Sequence, residues 1–343
     1  MQRLAMMQKQ FSCTLLAILL SAGSLWSATL EQRRQYLDRL QQILPPVPSF
    51  TNWLEKTQEL PPDFDALPRI NSLPDPLTFA DGKRKVKTPK DWKERRAEII
   101  QLFERYDIGT IPPKPKLDKI VAVDPATAGG GGRGFGGGRG GAPAEGSVTK
   151  IVDLQYGPDS RITTRVTVTI PPGAGPFPVL IGGSPGITSR GYIACSMNQS
   201  VDPPSAPNIA QYYPGYTFGT MGQTAFTAQM IVDYLDTLPQ VDQRYIAITG
   251  YSRTGKMAAL AAMLDERITA CVAGSTGVGG VLPWRSASER GSAEGIESTT
   301  RSFSSWFTPR LRFFTGREDR LPIDGNLLAA AIAPRSIISI YGL

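Results

Sequence analysis

Short apolar segments alternate with helical patterns through the second half of the chain. Four segments are almost continuously apolar, which is typical of parallel strands covered on both faces of a sheet: PFPVLIGG, RYIAITG, ITACVAG and RSIISIYG. Helical patterns lie between them, including TAFTAQMIVDYLDTL and KMAALAAMLDE on either side of the second segment. This order predicts an α/β fold, with a mostly parallel sheet, helices on both of its faces and a functional site at the carboxyl ends of the strands.

Two further segments, KIVDLQY and TRVTVTI, alternate apolar and polar residues with a period of two. That period predicts half-buried antiparallel strands ahead of the parallel ones. Earlier in the chain, TPKDWKERRAEIIQLFERYDIG predicts a helix that Thr88 caps, that Pro89 opens and that Gly109 ends, with Asp91 in the favourable first turn.

Length and composition indicate one large domain with an extension. The chain has 343 residues, of which 41% are hydrophobic and 20% charged, so it can bury a sizeable core. We place the main domain at residues 71–343. Residues 29–70 are polar and interrupted by prolines, with one predicted helix at LEQRRQYLDRLQQIL, and we interpret them as an N-terminal extension.

Residues 1–28 have the pattern of a secretory signal peptide. Arg3 and Lys9 precede an apolar stretch that runs from Phe11 to Trp26. The small residues near its end are Ala22, Ser24, Ser27 and Ala28. This pattern predicts a periplasmic or extracellular protein with no stable membrane association after cleavage. A membrane-spanning anchor is the alternative, but the stretch is shorter than the about 20 residues that a bilayer requires.

Residues 129–142, GGGGRGFGGGRGGA, predict a surface loop, because glycine has no side chain to bury in a core. An RNA-binding segment of the RGG type is the alternative. The tract holds only two arginines and one phenylalanine, and an exported protein rarely meets RNA, so we expect no nucleic-acid partner. The net charge of +7 falls to +5 without the two cations of the signal peptide, which identifies no partner.

The sequence contains no cysteine or histidine pattern typical of a metal site. Outside the signal peptide the cysteines are Cys195 and Cys271, and the apolar context of Cys271 predicts a buried thiol rather than a disulfide. The chain has no CxxC motif and no histidine. We therefore expect neither a metal nor another cofactor.

The segment GYSRTGK lies between the second apolar strand and the alanine-rich helix. A tight turn between a strand and a helix is where many hydrolases expose a nucleophilic serine, and Ser252 occupies its tip. Arg253 follows it and can donate to a developing oxyanion. The usual G-x-S-x-G pattern would place glycine at 254, where Thr254 stands, and Gly255 comes one position later.

The same segment also matches the G-x-x-x-x-G-K core of a phosphate-binding loop through Gly250, Gly255 and Lys256. That motif needs a serine or threonine after the lysine to hold magnesium, and Met257 cannot do so. Nucleotide binding is therefore the remote alternative.

GYSRTGK resembles the nucleophile motif G-C-S-R-x-G-K of glucuronoyl esterases, carbohydrate esterase family 15, with Tyr251 in place of the cysteine. The resemblance covers residues 71–343 and is closer to bacterial than to fungal members. It includes LPDPLTFADGKRKVKTPKDWKERRAEIIQLFERYDIGTIPPKP, VDYLDTLPQVD, STGVGG, SSWFTPRLRFF and RLPIDGNLLAAAIAPRSIISI. It implies an α/β-hydrolase fold and a monomeric serine esterase that cleaves the ester between glucuronic acid on xylan and an alcohol of lignin.

The resemblance also implies roles for individual residues. Ser252 would be the nucleophile, Arg253 an oxyanion donor and Lys256 a contact to the uronate sugar. We select Trp306 and then Trp284 as aromatic platforms for sugar, and Glu297 as a further substrate-binding residue from the polar segment between the last two apolar strands. Core packing of the tryptophans and a solvated helix position for Lys256 are the alternatives.

The sequence departs from the family pattern at the partners of the serine. Some members carry the catalytic acid at the position of Ser275, and others carry it just after the strand RSIISIYG, with the catalytic histidine later still. The acid after this strand and the histidine would both fall beyond Leu343. The resemblance therefore implies a fold that lacks its last strand and helix, and a chain without esterase activity. Asp324 precedes a helical pattern, which favours a helix cap over a catalytic acid. Lys256 can replace histidine as the base only if it is desolvated.

Two other interpretations remain open at this point. One is a catalytically dead relative that binds carbohydrate, and the other is a different carbohydrate esterase, such as an acetylxylan esterase.

The apolar strand SIISIYGL is expected to leave an unpaired sheet edge that promotes aggregation.

Overall fold

The structure is a computed structural model that describes residues 27–126, 141–196, 209–289 and 294–341. Most of the predicted signal peptide and most of the glycine-rich loop at 129–142 lie outside the described residues. The chain divides into two compact units between Arg69 and Ile70. The described part of the first unit contains helices α1 (Leu30–Ile43) and α2 (Pro48–Thr57).

The described part of the second unit is built on one eight-stranded sheet. Its strands lie side by side in the order β1-β2-β3-β5-β4-β6-β7-β8. The pairs from β5 through β4, β6 and β7 to β8 are parallel, and β1, β2, β3 and β5 pair antiparallel. The strands are β1 (Leu117–Ala122), β2 (Val148–Tyr156), β3 (Ile162–Ile170), β4 (Phe177–Ile181), β5 (Ile193–Cys195), β6 (Val241–Tyr251), β7 (Ala270–Gly274) and β8 (Ser336–Ile340).

Six α-helices accompany this sheet in the described residues. The first, α3, begins at the Thr88 cap, where the Asp91 carboxylate accepts from the Thr88 amide at 3.0 Å, and it continues as a π-helix over Glu104–Ile108. The predicted cap at Thr88 is confirmed. The helices are α3 (Pro89–Phe103), α4 (Thr220–Leu235), α5 (Arg253–Leu264), α6 (Trp284–Glu289), α7 (Ile296–Ser302) and α8 (Gly325–Ile332).

The apolar pattern located the parallel strands correctly. The four continuous apolar segments form β4, β6, β7 and β8, and the two alternating segments form the antiparallel pair β2 and β3. The sequence analysis missed β1, whose residues are mostly exposed and carry no apolar period, and β5, which has only three residues. Both are held in the sheet by their neighbours.

Helix α5 lies in the core and carries the serine turn at its start. It packs against β6 and β7 of the sheet and against α4 and α8. Every residue from Thr254 to Met263 is buried, and alanine at four of these positions lets the neighbouring backbones approach closely. The turn is thus fixed on both sides by buried structure.

The two cysteines of the second unit are buried free thiols, as expected for Cys271. Burial raises the pKa of each thiol to about 12, so neither is a nucleophile near neutral pH. No described helix combines the length and apolar character that crossing a membrane would take.

Strand β8 is the last strand of the described sheet and pairs with β7. Its side chains are largely exposed, and Ile338 and Ile340 each keep more than half of their surface accessible. Among the described residues, the other edge of β8 has no partner strand.

Candidate active site

Ser252 stands on a strained turn between β6 and α5. Its backbone has φ 54° and ψ −124°, a conformation that a residue with a side chain rarely adopts. Two hydrogen bonds hold the turn: the Ser252 amide donates to the Gly274 carbonyl at 2.8 Å, and the Lys256 amide donates to the Ser252 carbonyl at 3.2 Å. The side chain is exposed at the carboxyl end of β6. This is the geometry of a nucleophile elbow.

The turn explains why glycine stands at 255 rather than at 254. A Cβ at Gly250 would overlap the Thr254 carbonyl, and a Cβ at Gly255 would lie 2.6 Å from the Gly274 carbonyl oxygen. Thr254 is buried, and its hydroxyl accepts from the Tyr251 amide at 3.0 Å and donates to the Tyr251 carbonyl at 2.8 Å. The threonine side chain thus closes the turn.

Arg253 and Lys256 both approach the ring of Trp306. The Arg253 guanidinium carbon lies 5.9 Å from the ring centroid, and the Lys256 ammonium lies 5.8 Å from it. A cation over an aromatic ring is attracted by the negative face of that ring. The structure therefore brings together three of the predicted site residues beside the serine turn.

Lys256 is a buried lysine with polar partners. Only 2% of its surface is exposed, its ammonium donates to the Thr276 carbonyl, and it lies 3.7 Å from the Glu294 carboxylate. Burial lowers the pKa of Lys256, while the negative charges of Glu294 and Asp107 oppose that change. The alternative of a solvated helix lysine is therefore wrong.

Gly277 is the neighbour that permits this pair. Its φ is +62°, and a Cβ there would overlap the Glu294 carboxylate and lie 3.1 Å from the Lys256 ammonium. The sequence analysis missed both Gly277 and Glu294. The glycine in STGVGG was visible, but nothing in the sequence showed which carboxylate of the later polar segment would face it.

Asp107 is a second carboxyl group that the sequence analysis missed. It lies in the π-helix that follows α3, is fully buried, and neither of its side-chain oxygens has a hydrogen-bond partner among the described residues. Burial raises the pKa of Asp107 well above its ordinary value; the positive charge of Lys256 opposes this and Asp324 adds to it. Its backbone carbonyl accepts from the Thr308 amide at 2.7 Å, two residues after Trp306.

Two predicted substrate-binding residues lie elsewhere. Trp284 is 2% exposed and packs edge to face on Phe307, so the prediction that it forms a sugar platform is wrong: its ring belongs to the core. Glu297 forms an ion pair with Arg301 at 2.8 Å along α7. In this geometry the carboxylate beside Lys256 is Glu294, not Glu297.

Asp324 is a helix cap, as predicted. One of its oxygens accepts from the Gly325 amide at 2.9 Å and from the Trp284 amide at 2.6 Å, and the other accepts from Arg285 at 2.8 Å. Ser275, at the end of β7, has φ 41° and donates its amide to the Ile340 carbonyl at 2.6 Å. No cluster of three or more histidine, cysteine or acidic side chains able to hold a metal ion exists in the described ranges.

Comparison with known proteins gives a family. The model of the family described as "Glucuronyl esterase, fungi" matches residues 156–342. The 4-O-methyl-glucuronoyl methylesterase of Podospora anserina is 29% identical over 79% of this chain and 55% of its own length. That of Cerrena unicolor is 30% identical over 80% of this chain and 58% of its own. The chain thus spans little more than half of these relatives.

The fold is shared with solved structures. A glucuronoyl esterase from Sporotrichum thermophile, solved in complex with methyl 4-O-methyl-β-D-glucopyranuronate, superposes with a TM-score of 0.62. The match covers 80% of this chain and 72% of that one, at 23% identity. The predicted α/β-hydrolase fold is therefore confirmed, whereas the bacterial subtype and a missing last strand and helix stay predictions.

Proposed function

The chain belongs to the glucuronyl esterase family, and from this premise we propose that it is a secreted serine carboxylic ester hydrolase for esters of glucuronic acid, such as those that join xylan to lignin. The observation that carries the proposal is the exposed Ser252 on its strained turn, next to the buried Lys256, whose ammonium faces the partly exposed Glu294 carboxylate. Similar proteins are named for methyl esters of 4-O-methyl-glucuronate.

The exposed Ser252 and the neighbouring Arg253 support a proposed route for ester cleavage. The Ser252 hydroxyl oxygen attacks the ester carbonyl, and the charge that develops on the carbonyl oxygen is stabilised by the Arg253 guanidinium. The serine proton passes to the departing alkoxide, so the alcohol leaves while the glucuronoyl group stays bonded to the serine oxygen. Water then breaks that ester bond and returns a proton to the serine oxygen. The rigid turn holds the hydroxyl oxygen in place, so little ordering remains to be done when the substrate binds.

Lys256 and Glu294 supply the recognition of the acid half. The hydroxyls of a glucuronate ring both donate and accept hydrogen bonds. An ammonium donates and a carboxylate accepts, so the pair at 3.7 Å can match two neighbouring hydroxyls. Hydrogen bonds to charged groups contribute more than those between neutral groups, so we expect this pair to contribute to affinity, chiefly through the buried Lys256.

The same chain contains no histidine to accept the proton of Ser252. Burial lowers the pKa of Lys256, but its ammonium donates to the Thr276 carbonyl and lies beside Glu294, and within the described residues it makes no hydrogen bond to the Ser252 hydroxyl, so it is a poor replacement. We therefore propose that the 343-residue chain binds glucuronate esters but shows at most the roughly 10³ to 10⁴-fold acceleration that remains in serine hydrolases without their triad. Catalysis by this chain at a normal rate, abolished in Ser252→Ala, would contradict this.

Binding of methyl 4-O-methyl-β-D-glucopyranuronate to the purified chain, followed by NMR titration, tests the proposal. We expect saturable binding that Lys256→Met weakens about tenfold or more, since a charged hydrogen-bond donor is lost. Lys114→Met is the matched control, because Lys114 also pairs with a carboxylate, Asp233 at 2.6 Å, but does so away from the serine turn. Absence of binding, or equal weakening by both substitutions, would refute the proposed function.

A further inference from the structure

Tyr341 follows the last residue of β8, at the carboxyl end of the parallel strands, where Ser252 also lies. Its hydroxyl shares a hydrogen bond with the hydroxyl of Thr276 at 2.8 Å, although 65 positions of chain separate the two residues. Tyr341 keeps 43% of its surface exposed, whereas Thr276 is fully buried. The bond therefore joins the end of β8 to the buried loop that follows β7.

The Thr276 hydroxyl uses all of its hydrogen-bonding capacity in this network. It accepts from the Val281 amide at 3.1 Å and donates to the Gly277 carbonyl at 3.2 Å. A hydroxyl has one proton to donate and two lone pairs that accept. Because its proton is directed to Gly277, it accepts from both Val281 and Tyr341, and Tyr341 is the donor of the shared bond.

Close packing leaves Thr276 little room to move. A Cβ at Gly280 would lie 2.5 Å from the Thr276 Cβ, and a Cβ at Gly255 would lie 3.1 Å from the Thr276 Cγ2. The preceding residue is also tied to β8, since the Ser275 amide donates to the Ile340 carbonyl at 2.6 Å. Hydrogen bonds at two consecutive residues thus fasten the start of this loop to the end of β8.

The Thr276 carbonyl accepts a hydrogen bond from the buried Lys256 ammonium. The Glu294 carboxylate beside that ammonium lies 3.7 Å away, and 44% of its side chain is exposed. A carboxylate with this exposure holds a cation weakly, because water screens its charge and the side chain can move. The position of the Lys256 ammonium therefore depends on where the Thr276 carbonyl is held.

We propose that Tyr341 is a positioning residue for the glucuronate pocket: its hydroxyl fixes Thr276, and the Thr276 carbonyl fixes the Lys256 ammonium. The inference rests on the proposed function, because it takes Lys256 to be a group that binds the glucuronate ring. Tyr341 acts through Lys256 and not by contact with the substrate. Its effect on affinity should therefore vanish once Lys256 is replaced.

Tyr341→Phe removes the hydroxyl and keeps the exposed ring. We expect it to weaken the binding of methyl 4-O-methyl-β-D-glucopyranuronate, followed by NMR titration, about three- to tenfold, as the loss of one hydrogen bond allows. In a chain that already carries Lys256→Met, the same change should leave the affinity as it is. Tyr192→Phe is the matched control, because Tyr192 is 40% exposed and precedes β5, at the amino end of the parallel strands. It should change the affinity in neither background.

Acylation of Lys256 by acetic anhydride, followed by mass spectrometry of the free protein, tests the same contact without a ligand. The packed loop shields the ammonium, so we expect Tyr341→Phe to raise the acylation rate of Lys256 about threefold or more, through local opening of the loop. Tyr192→Phe should leave this rate unchanged. The exposed Lys150 on β2 supplies the internal reference rate.

Unchanged affinity in Tyr341→Phe, or unchanged acylation of Lys256, would overturn the inference while leaving the glucuronate pocket in place. An affinity loss that is equally large in the Lys256→Met background would also overturn it, because the hydroxyl would then act on the ligand or on the fold as a whole. Failure of the unmodified chain to bind the ester would instead refute the proposed function, and with it the part of Tyr341 in recognition.

Discussion

Gly277 decides whether Lys256 and Glu294 can lie side by side. A methyl group at this position would occupy the space of the Glu294 carboxylate and crowd the Lys256 ammonium. Gly277 makes this contact possible because it has no side chain that would occupy the space between the two charged groups. Ser252 is a similar case, since the role proposed for it as a nucleophile depends on a backbone conformation that costs energy and that buried neighbours enforce.

We expect Gly277→Ala to weaken the binding of methyl 4-O-methyl-β-D-glucopyranuronate about tenfold, because the pair must separate to admit the methyl group. Gly316→Ala is the matched control: Gly316 has a similar φ of +70°, but no atom lies within 4 Å of its added Cβ. Both variants carry the same backbone strain. Equal affinities in the two variants would show that the Lys256 and Glu294 contact is not needed for binding.

Asp107 should make the stability of the protein depend on pH. Burial raises the pKa of Asp107 in the folded protein, whereas in the unfolded chain the carboxyl titrates near its ordinary value of about 4. Between these two values the unfolded chain has released a proton that the folded protein keeps. The free energy of unfolding therefore falls as the pH rises through this window, and the contribution is fully present only below the unfolded value.

Asp107→Asn replaces the protonated carboxyl by an amide of similar shape that does not titrate. We expect the variant to lose less stability than the unmodified protein between pH 5 and pH 8, as measured by urea unfolding at both values. Asp153→Asn is the control, because the ion pair with Arg165 lowers the pKa of Asp153 and leaves it charged throughout this range. An identical pH dependence with and without Asp107 would mean that its carboxyl is ionised in the fold.

At the scale of elements, the turn between β6 and α5 is constrained by close backbone contacts and by hydrogen bonds. Gly250 and Gly255 allow the strand and the helix to meet, and Thr254 ties the two together through both polar groups of the Tyr251 backbone. The motif therefore tolerates a threonine where glycine is usual, because the hydroxyl supplies hydrogen bonds that a buried turn needs.

We expect Thr254→Val to lower the free energy of unfolding by about 1–3 kcal/mol, because it removes the hydrogen bonds that the buried Thr254 hydroxyl makes with the Tyr251 amide and carbonyl. Thr224→Val is the matched control: Thr224 is equally buried, but its hydroxyl donates to the Thr220 carbonyl within α4. Urea unfolding measures both. Equal losses in the two variants would show that the hydroxyl of Thr254 has no special part in the turn.

At the scale of the whole molecule, the sheet presents an apolar strand at one edge. Ile338 and Ile340 of β8 are more than half exposed, and the strand pairs with β7 alone among the described elements. An exposed apolar edge is a template for pairing with another chain. The strand is held to the rest of the fold by the β7 ladder and by Arg335, which donates to the carbonyl of Ala262 in the last turn of α5 and to those of Asp265 and Ile268 before β7.

We expect the purified chain to associate as its concentration rises, and Ile338→Lys to suppress this, since a charge on an edge strand blocks further pairing. Light scattering over a concentration series measures the effect. Ile120→Lys is the control, because Ile120 is an exposed apolar residue of β1 at the opposite edge of the sheet. A chain that stays monomeric at high concentration, or equal suppression by both variants, would contradict a role for the β8 edge.

The sequence by itself determined four strands of the sheet, two helix caps and the turn that bears the serine. Continuous apolar segments marked β4, β6, β7 and β8, and the cap at Thr88 and the elbow at Ser252 were also legible, because each depends on residues that are close together in the chain. The cap at Asp324 was found for the same reason.

Only the tertiary structure decided which side chains meet around that turn. Glu294 rather than Glu297 faces Lys256, Trp284 is buried in the core, and Asp107 lies near Lys256 although some 150 residues of chain separate them. These contacts depend on how loops and helices pack after the strands have paired, and no local periodicity encodes that packing. The turn that bears the proposed nucleophile was therefore predictable from one short segment, whereas the side chains of the proposed substrate pocket come from distant segments of the chain.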